Sequence, residues 1–155
     1  MHVDTPLVSR VGSSGEVAVV AEAEAQERSL LRAALRDVGY EVTVAADAEQ
    51  LDALFRARAL LEAPSPLVVL SVGLAKRCAG ALAAVAAQRA RAGAAEVSLI
   101  LTYERETLMT VVRPSLGPCS LVAIFEKPFD LDELRSVARA TRLAAEGTSR
   151  RPSRP

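Results

Sequence analysis

Short apolar runs and amphipathic stretches alternate along the chain. Val17 to Ala21 reads as a first strand, and a helical segment follows from about Glu24 to Val38, with Leu30, Leu31, Ala34, Leu35 and Val38 on one face. Gly39 is placed to close that helix, since a left-handed cap favours glycine. Glu41 to Val44 gives a second strand. Asp47 with Gln50 three residues on has the form of a capping box and opens a helix carrying Leu51, Leu54, Phe55 and Leu61, which Pro64 and Pro66 end. Leu67 to Leu70 is the third strand, Ala75 to about Arg91 an alanine-rich helix, and Val97 to Leu101 the fourth strand. Beyond Thr102, Pro114, Gly117 and Pro118 leave room only for a short fourth helix near Thr107 to Val112 before a fifth strand, Leu121 to Phe125. Asp130 with Glu133 then caps a fifth helix to about Ala145.

Five strands alternating with five helices predict an α/β domain, a doubly wound parallel sheet of (βα)5 type joined by right-handed crossovers. Spacing does not fix the strand order. The flavodoxin-like order 2-1-3-4-5 is adopted by analogy with known open sheets of this size. In that order the loops after strands one, three, four and five surround one crevice at the carboxyl ends of the strands, where ligands of such sheets bind. Those loops carry Glu22 and Glu24, Ser71, Thr102, and Lys127 with Pro128.

A chain of 155 residues suits one domain, here residues 16–145, with tails at 1–15 and 146–155 whose composition predicts flexibility. Nineteen basic residues balance nineteen acidic ones, so no overall field draws the protein to nucleic acid or to an anionic membrane. The apolar runs fall short of the roughly 20 residues a membrane span needs, and the first fifteen residues show no basic start with a hydrophobic stretch. A cytoplasmic protein without membrane insertion is expected. Cys78 and Cys119 lie far apart with His2 as the one histidine, which supports neither a disulfide framework nor a zinc site. No Gly-x-Gly-x-x-Gly or Walker pattern follows any strand, and no helix-turn-helix follows residue 145.

Val19-Val20-Ala21-Glu22-Ala23-Glu24, Leu30-Leu31-Arg32 through Gly39-Tyr40-Glu41-Val42, Leu99-Ile100-Leu101-Thr102 and Glu126-Lys127-Pro128-Phe129 together resemble the receiver domain of two-component response regulators over residues 16–145. The resemblance implies an aspartate after strand three that accepts phosphate from a histidine kinase, Mg²⁺ on two acids after strand one, and a Thr or Ser and a Lys that respond to the phosphoryl group. Matched position by position, Thr102 and Lys127 are retained with Pro128, while Ser71 stands at the phosphoacceptor. Glu22 falls on the first acid and Ala23 on the second, with Glu24 next in line. The aromatic switch position is Ile124, beside Phe125.

This pattern is that of a degenerate pseudo-receiver. A lone serine hydroxyl is a weak nucleophile without an adjacent base. As a small polar strand end bonded to its own loop, Ser71 needs no reaction to account for it. One carboxylate fewer leaves Mg²⁺ poorly served, so no metal or other cofactor is expected, nor an enzyme activity. The chain uses Arg for seventeen of its nineteen basic residues and keeps Lys only at 76 and 127, which marks Lys127 as chosen for its place. Lys127 is expected to bond Glu22, Glu24 or Ser71 and to hold one fixed state, and the receiver resemblance implies a cis peptide at Lys127–Pro128, which proline permits.

The implied function is a phosphorylation-independent protein-protein interaction module in bacterial signal transduction. Its partners would be proteins of a signalling pathway, or a second copy docked through the fourth helix, fifth strand and fifth helix, where Leu131, Leu134, Val137, Arg135 and Arg139 lie. Two alternatives remain, a conventional phospho-accepting regulator with a non-standard site and a flavodoxin-like small-ligand-binding module.

Overall fold

A computed structural model describes residues 16–105 and 117–150, with side chains through Glu146. The strands are β1 (Val17–Ala21), β2 (Glu41–Ala45), β3 (Leu67–Ser71), β4 (Ser98–Tyr103) and β5 (Ser120–Glu126). All four pairings are parallel, and the order is β2-β1-β3-β4-β5, the one adopted by analogy. The helices are α1 (Ala25–Val38), α2 (Ala48–Arg56), α3 (Arg58–Glu62), α4 (Val72–Arg91) and α5 (Leu131–Arg150). No helix among the described residues is long and apolar enough to cross a membrane.

Alternation along each strand divides the core into two layers. Val19, Ala21, Val68, Leu70, Leu99 and Leu101 face α2, α3 and α4, whereas Ala18, Val20, Leu67, Val69 and Ile100 face α1 and α5. The central strand β3 is buried along its whole length, as a parallel strand covered on both faces must be. Leu134 and Ala138 of α5 are fully buried and Leu131 and Val137 pack against them, so the apolar stripe of that helix is core. Arg135 pairs with Asp132 and reaches Asp37 of α1.

Caps follow the sequence signals. Asp47 accepts the Gln50 amide at 2.8 Å, and Gln50 returns a bond to the Ala46 amide at 2.7 Å. Gly39 closes α1 in the left-handed region at φ 110°. Gly117, at φ 78°, packs so closely on α4 that an added Cβ would lie 2.9 Å from Ala83 Cα, which only glycine permits.

Several boundaries differ from expectation. The helix after Asp47 is two helices, because Ala57 turns extended (φ −75°, ψ 146°). The bend rephases the chain so that Leu60, five residues after Phe55 and off its helical face, is also buried. α4 starts at Val72, not Ala75: nothing between Ser71 and Ala75 breaks a helix firmly, and Val72 and Leu74 are buried by continuing it. β4 and β5 run one or two residues further at their carboxyl ends. α5 continues to Arg150, since Gly147 alone disfavours a helix only by about 1 kcal/mol, and so the stretch expected as a tail from residue 146 begins as helix. The short helix expected at Thr107 to Val112 and the tails at 1–15 and 151–155 lie outside the described residues.

One irregularity governs the functional end. Leu99 pairs with Leu121 but Ile100 pairs with Ala123, so Val122 is an extra residue in β5. Leu121 packs with the α4 layer, while Ala123 and Phe125 pack with the α1 and α5 layer. The same alternation carried to Lys127 puts its side chain on that second face. Without the bulge it would point to the other one.

Candidate functional site

Parallel strands end together, and Glu22, Ser71 and Lys127 therefore meet at one edge of the sheet. With Ala23, Gly73, Leu74, Arg77, Tyr103 and Glu104 they line a cleft of about 360 Å³. Larger grooves elsewhere hold none of these side chains.

Glu22 extends β1 by one residue. Its amide bonds Ala45 O at 3.1 Å and its side chain is buried, on the face that alternation from Val20 dictates. Both carboxylate oxygens are engaged, Oε1 by Lys127 Nζ at 2.7 Å and Oε2 by the Glu24 amide at 3.0 Å. Lys127 has a second carboxylate, Glu27 Oε1 at 3.1 Å. Arg28 fixes the intervening turn by donating to Glu22 O at 2.9 Å and Ala23 O at 3.1 Å. The far side of the cleft is set by the Lys127 amide on Tyr103 O at 2.8 Å and by a cis Lys127–Pro128 peptide, the isomer expected from the sequence.

The lysine side chain is 14% exposed. Burial by itself favours the neutral amine, but the hydrogen bonds to Glu22 and Glu27 outweigh it and hold the Lys127 pKa above that of a free lysine. An ammonium held in this way is a poor proton acceptor. The one histidine, His2, lies outside the described residues.

Ser71 ends β3 opposite Thr102 of β4, and both side chains lie on the α1 and α5 face by alternation from Val69 and Ile100. Both residues are buried. Ser71 is also the residue from which α4 starts, yet its side chain makes no capping bond. The Thr102 hydroxyl is buried and makes no hydrogen bond among the described residues.

Other predicted positions fall elsewhere. Glu24 turns away from the cleft to cap α1, accepting the Glu27 amide at 2.7 Å and the Gln26 amide at 3.3 Å. Lys127 thus takes Glu22, one of the expected partners, and Glu27, and bonds neither Glu24 nor Ser71. Glu27 was missed by sequence reasoning. It stands three residues after the helix cap, where an acid reads as a response to the helix dipole, and the same spacing brings it beside the strand-one turn. Arg77 and Tyr103 were missed because no local pattern links them to the cleft. Ile124 is 42% exposed on the edge strand, while Phe125 packs in the core with its ring centroid 5.7 Å from that of Phe129. Cys78 is buried and donates to Leu74 O at 3.2 Å, and burial raises the thiols of Cys78 and Cys119 to about 11, as structural cysteines would show.

The donor set does not fit the magnesium site that the receiver resemblance implies. Octahedral Mg²⁺ takes one or two carboxylates with open oxygens. Here an ammonium occupies Glu22, Ala23 has no ligand to offer, and Glu24 is spent on a cap. No group of three or more His, Cys, Asp or Glu among the described residues is placed to hold a metal ion.

Comparison with protein-family models and with curated proteins gives no match. Among solved structures the chain is similar to response-regulator receiver domains. NtrX from Brucella abortus in complex with ATP is 25% identical with a TM-score of 0.58, over 86% of this chain and 29% of that one. The receiver domain of the same protein is 23% identical at a TM-score of 0.57, over 80% of this chain and 96% of that one. A CheY-like receiver domain protein from Methanospirillum hungatei JF-1 is 15% identical at 0.59, over 86% and 98%. The class that fold and neighbours define is the flavodoxin-like receiver fold. This chain spans under a third of the length of the NtrX chains in complex with ADP and ATP.

Proposed function

We propose that the chain is a pseudo-receiver, a protein-protein interaction module of bacterial signal transduction that works without phosphorylation and without enzyme activity, in the cytoplasm. One observation carries this reading: in a receiver fold with Ser71 at the end of β3, Lys127 is bonded to Glu22 at 2.7 Å and Glu27 at 3.1 Å. The ammonium neutralises the acids that a metal would use, and the crevice is held in one state by charges of its own. A fixed crevice leaves the outer surfaces as the means of action. The edge strand β5, with Val122 and Ile124 exposed, and the flanking α5 offer the surface for a protein of the pathway or for a second copy.

The test is incubation of the purified chain with acetyl phosphate and Mg²⁺, followed by intact mass and by NMR with beryllofluoride. No phosphoryl adduct and an unchanged spectrum are expected. A stoichiometric adduct, or a beryllofluoride-induced shift of the crevice amides, overturns the reading. Affinity capture with the intact chain then identifies the bound protein.

A further inference from the structure

A groove of about 640 Å³, larger than the cleft, lies at the opposite edge of the sheet, where β4 and β5 begin, and α5 forms its other wall. Ser98 and Ser120 open those two strands. Alternation from Leu99 and Leu121, which pack on the α4 layer, turns both serines toward α5. The helix meets them with Val137, Ala140, Thr141 and Ala144. Side chains this small on both walls cannot fill the space between them, and the groove stays open with a mainly apolar lining.

Charge and position narrow what covers it. Glu96 is the one charged residue in the lining, and it is exposed with no ion pair among the described residues. An apolar occupant carrying a cation therefore fits. Glu16, the first described residue, stands at the same amino edge, where its carbonyl accepts the Glu41 amide. Only β3 separates β1 from β4, so the span from Glu16 to the groove is roughly 10 Å, two strand spacings.

Fifteen residues precede Glu16, and Leu7-Val8-Ser9-Arg10-Val11 places three apolar side chains around the only Arg or Lys among them. Gly12-Ser13-Ser14-Gly15 joins this stretch to β1. From Val11 to Glu16 the chain can reach about 17 Å, enough to cross β3 with slack. The other undescribed segments suit the groove less well. Residues 106–116 lead into Gly117, which packs on Ala83 of α4, across the sheet from α5. Residues 151–155 are Arg-Pro-Ser-Arg-Pro, with no aliphatic side chain to bury.

We infer that residues 7–11 of this chain dock in the groove between α5 and the starts of β4 and β5, with Leu7, Val8 and Val11 against its small side chains and Arg10 toward Glu96. The docking does not depend on the pseudo-receiver reading. Its consequence does: Val122, part of the surface offered to a partner, also lines the groove, so a partner using it competes with the chain's own segment.

The experiment is methyl NOE spectroscopy on the full chain with labelled Ala, Leu and Val. Cross-peaks from Val8 and Val11 to Ala140 and Ala144 are expected within one copy. The double variant Val8→Asp/Val11→Asp and the single variant Arg10→Glu should each remove them and shift the Ser98 and Ser120 amides. Ala140→Leu, which fills the groove from an exposed helix position, should remove them with residues 1–15 intact, and circular dichroism checks that each variant folds. Absent cross-peaks, or groove amides unmoved in both tail variants, overturn the proposal. Cross-peaks seen only between labelled and unlabelled copies overturn it in favour of a second chain as the occupant. A phosphoryl adduct overturns the pseudo-receiver reading and leaves the docking standing.

Discussion

Two cations among the described residues, Lys127 at 14% side-chain exposure and the buried Arg89, are neutralised in opposite ways. Lys127, at the carboxyl edge of the sheet, is held between two carboxylates contributed by the turn after β1 and the first turn of α1. Arg89, near the far end of α4, is 2% exposed and meets no carboxylate among the described residues. Its five donors go to four backbone carbonyls, Leu60 at 3.0 Å, Leu61 at 2.9 Å, Pro64 at 3.1 Å and Ala95 at 3.0 and 2.9 Å. A planar fork with fixed donors suits carbonyls left open at a helix end, and a compact ammonium suits a pair of carboxylates. Arg89 completes backbone that α3 and the loop after α4 leave unbonded. Lys127 ties together side chains from distant parts of the chain, and of the two it alone stands where ligands of such sheets bind. Burial therefore does not distinguish a structural cation from a site cation here, but the partner chemistry does.

The comparison can be broken most forcefully at Arg89. Arg89→Met should destabilise the chain by about 4 kcal/mol in urea unfolding, because several buried carbonyls lose charged donors at once. Amide exchange should rise first across Arg58–Glu62, and Arg89→Lys should recover only part of the loss. Lys127→Met should cost about 3 kcal/mol by leaving Glu22 buried beside an apolar chain. Adding Glu22→Gln should return most of that loss, and a double-mutant cycle measures it. No such rescue exists for Arg89, whose partners are backbone.

Titration sharpens the contrast. The Lys127 pKa is raised in the folded chain, so its contribution to stability is complete below the unfolded lysine value of about 10.4 and disappears as pH rises through the higher folded value. Urea midpoints should be insensitive to this pair from neutral pH to about 9 and fall above about 10.4. In Lys127→Met that part of the fall should be absent. The smallest effect belongs to Glu62→Ala, which removes an ion pair with Arg58 whose side chains are 61% and 86% exposed. A change of about 0.3–0.5 kcal/mol is expected. A larger one would mean that α3 is held by its own pair and not by Arg89.

How far the sequence foretold this arrangement differs between the two regions. Strands and helices alternate with strong periodicity, so five parallel strands and most helix limits were legible. The lysine was legible too, because a chain so rich in Arg keeps Lys next to Pro128 at the end of a strand. Its partners were only half legible. Glu22 follows from continuing β1, but Glu27 requires knowing that α1 starts one residue after Glu24 and that Glu24 is occupied as its cap. The inserted Val122 left no mark in a run of apolar residues, although it decides the face on which Lys127 emerges. Arg89 was hidden for a different reason. On a helical wheel it reads as one more surface arginine, and only the bend at Ala57 brings the carbonyls that bury it.

β3 passes into α4 without a single linking residue, and α4 is a rod of about 30 Å whose two ends lie at Ser71 and just past Arg89. A linker would absorb a small displacement at the cleft. In its absence the cleft-lining Ser71 and the buried Arg89 stand at the two ends of one continuous element.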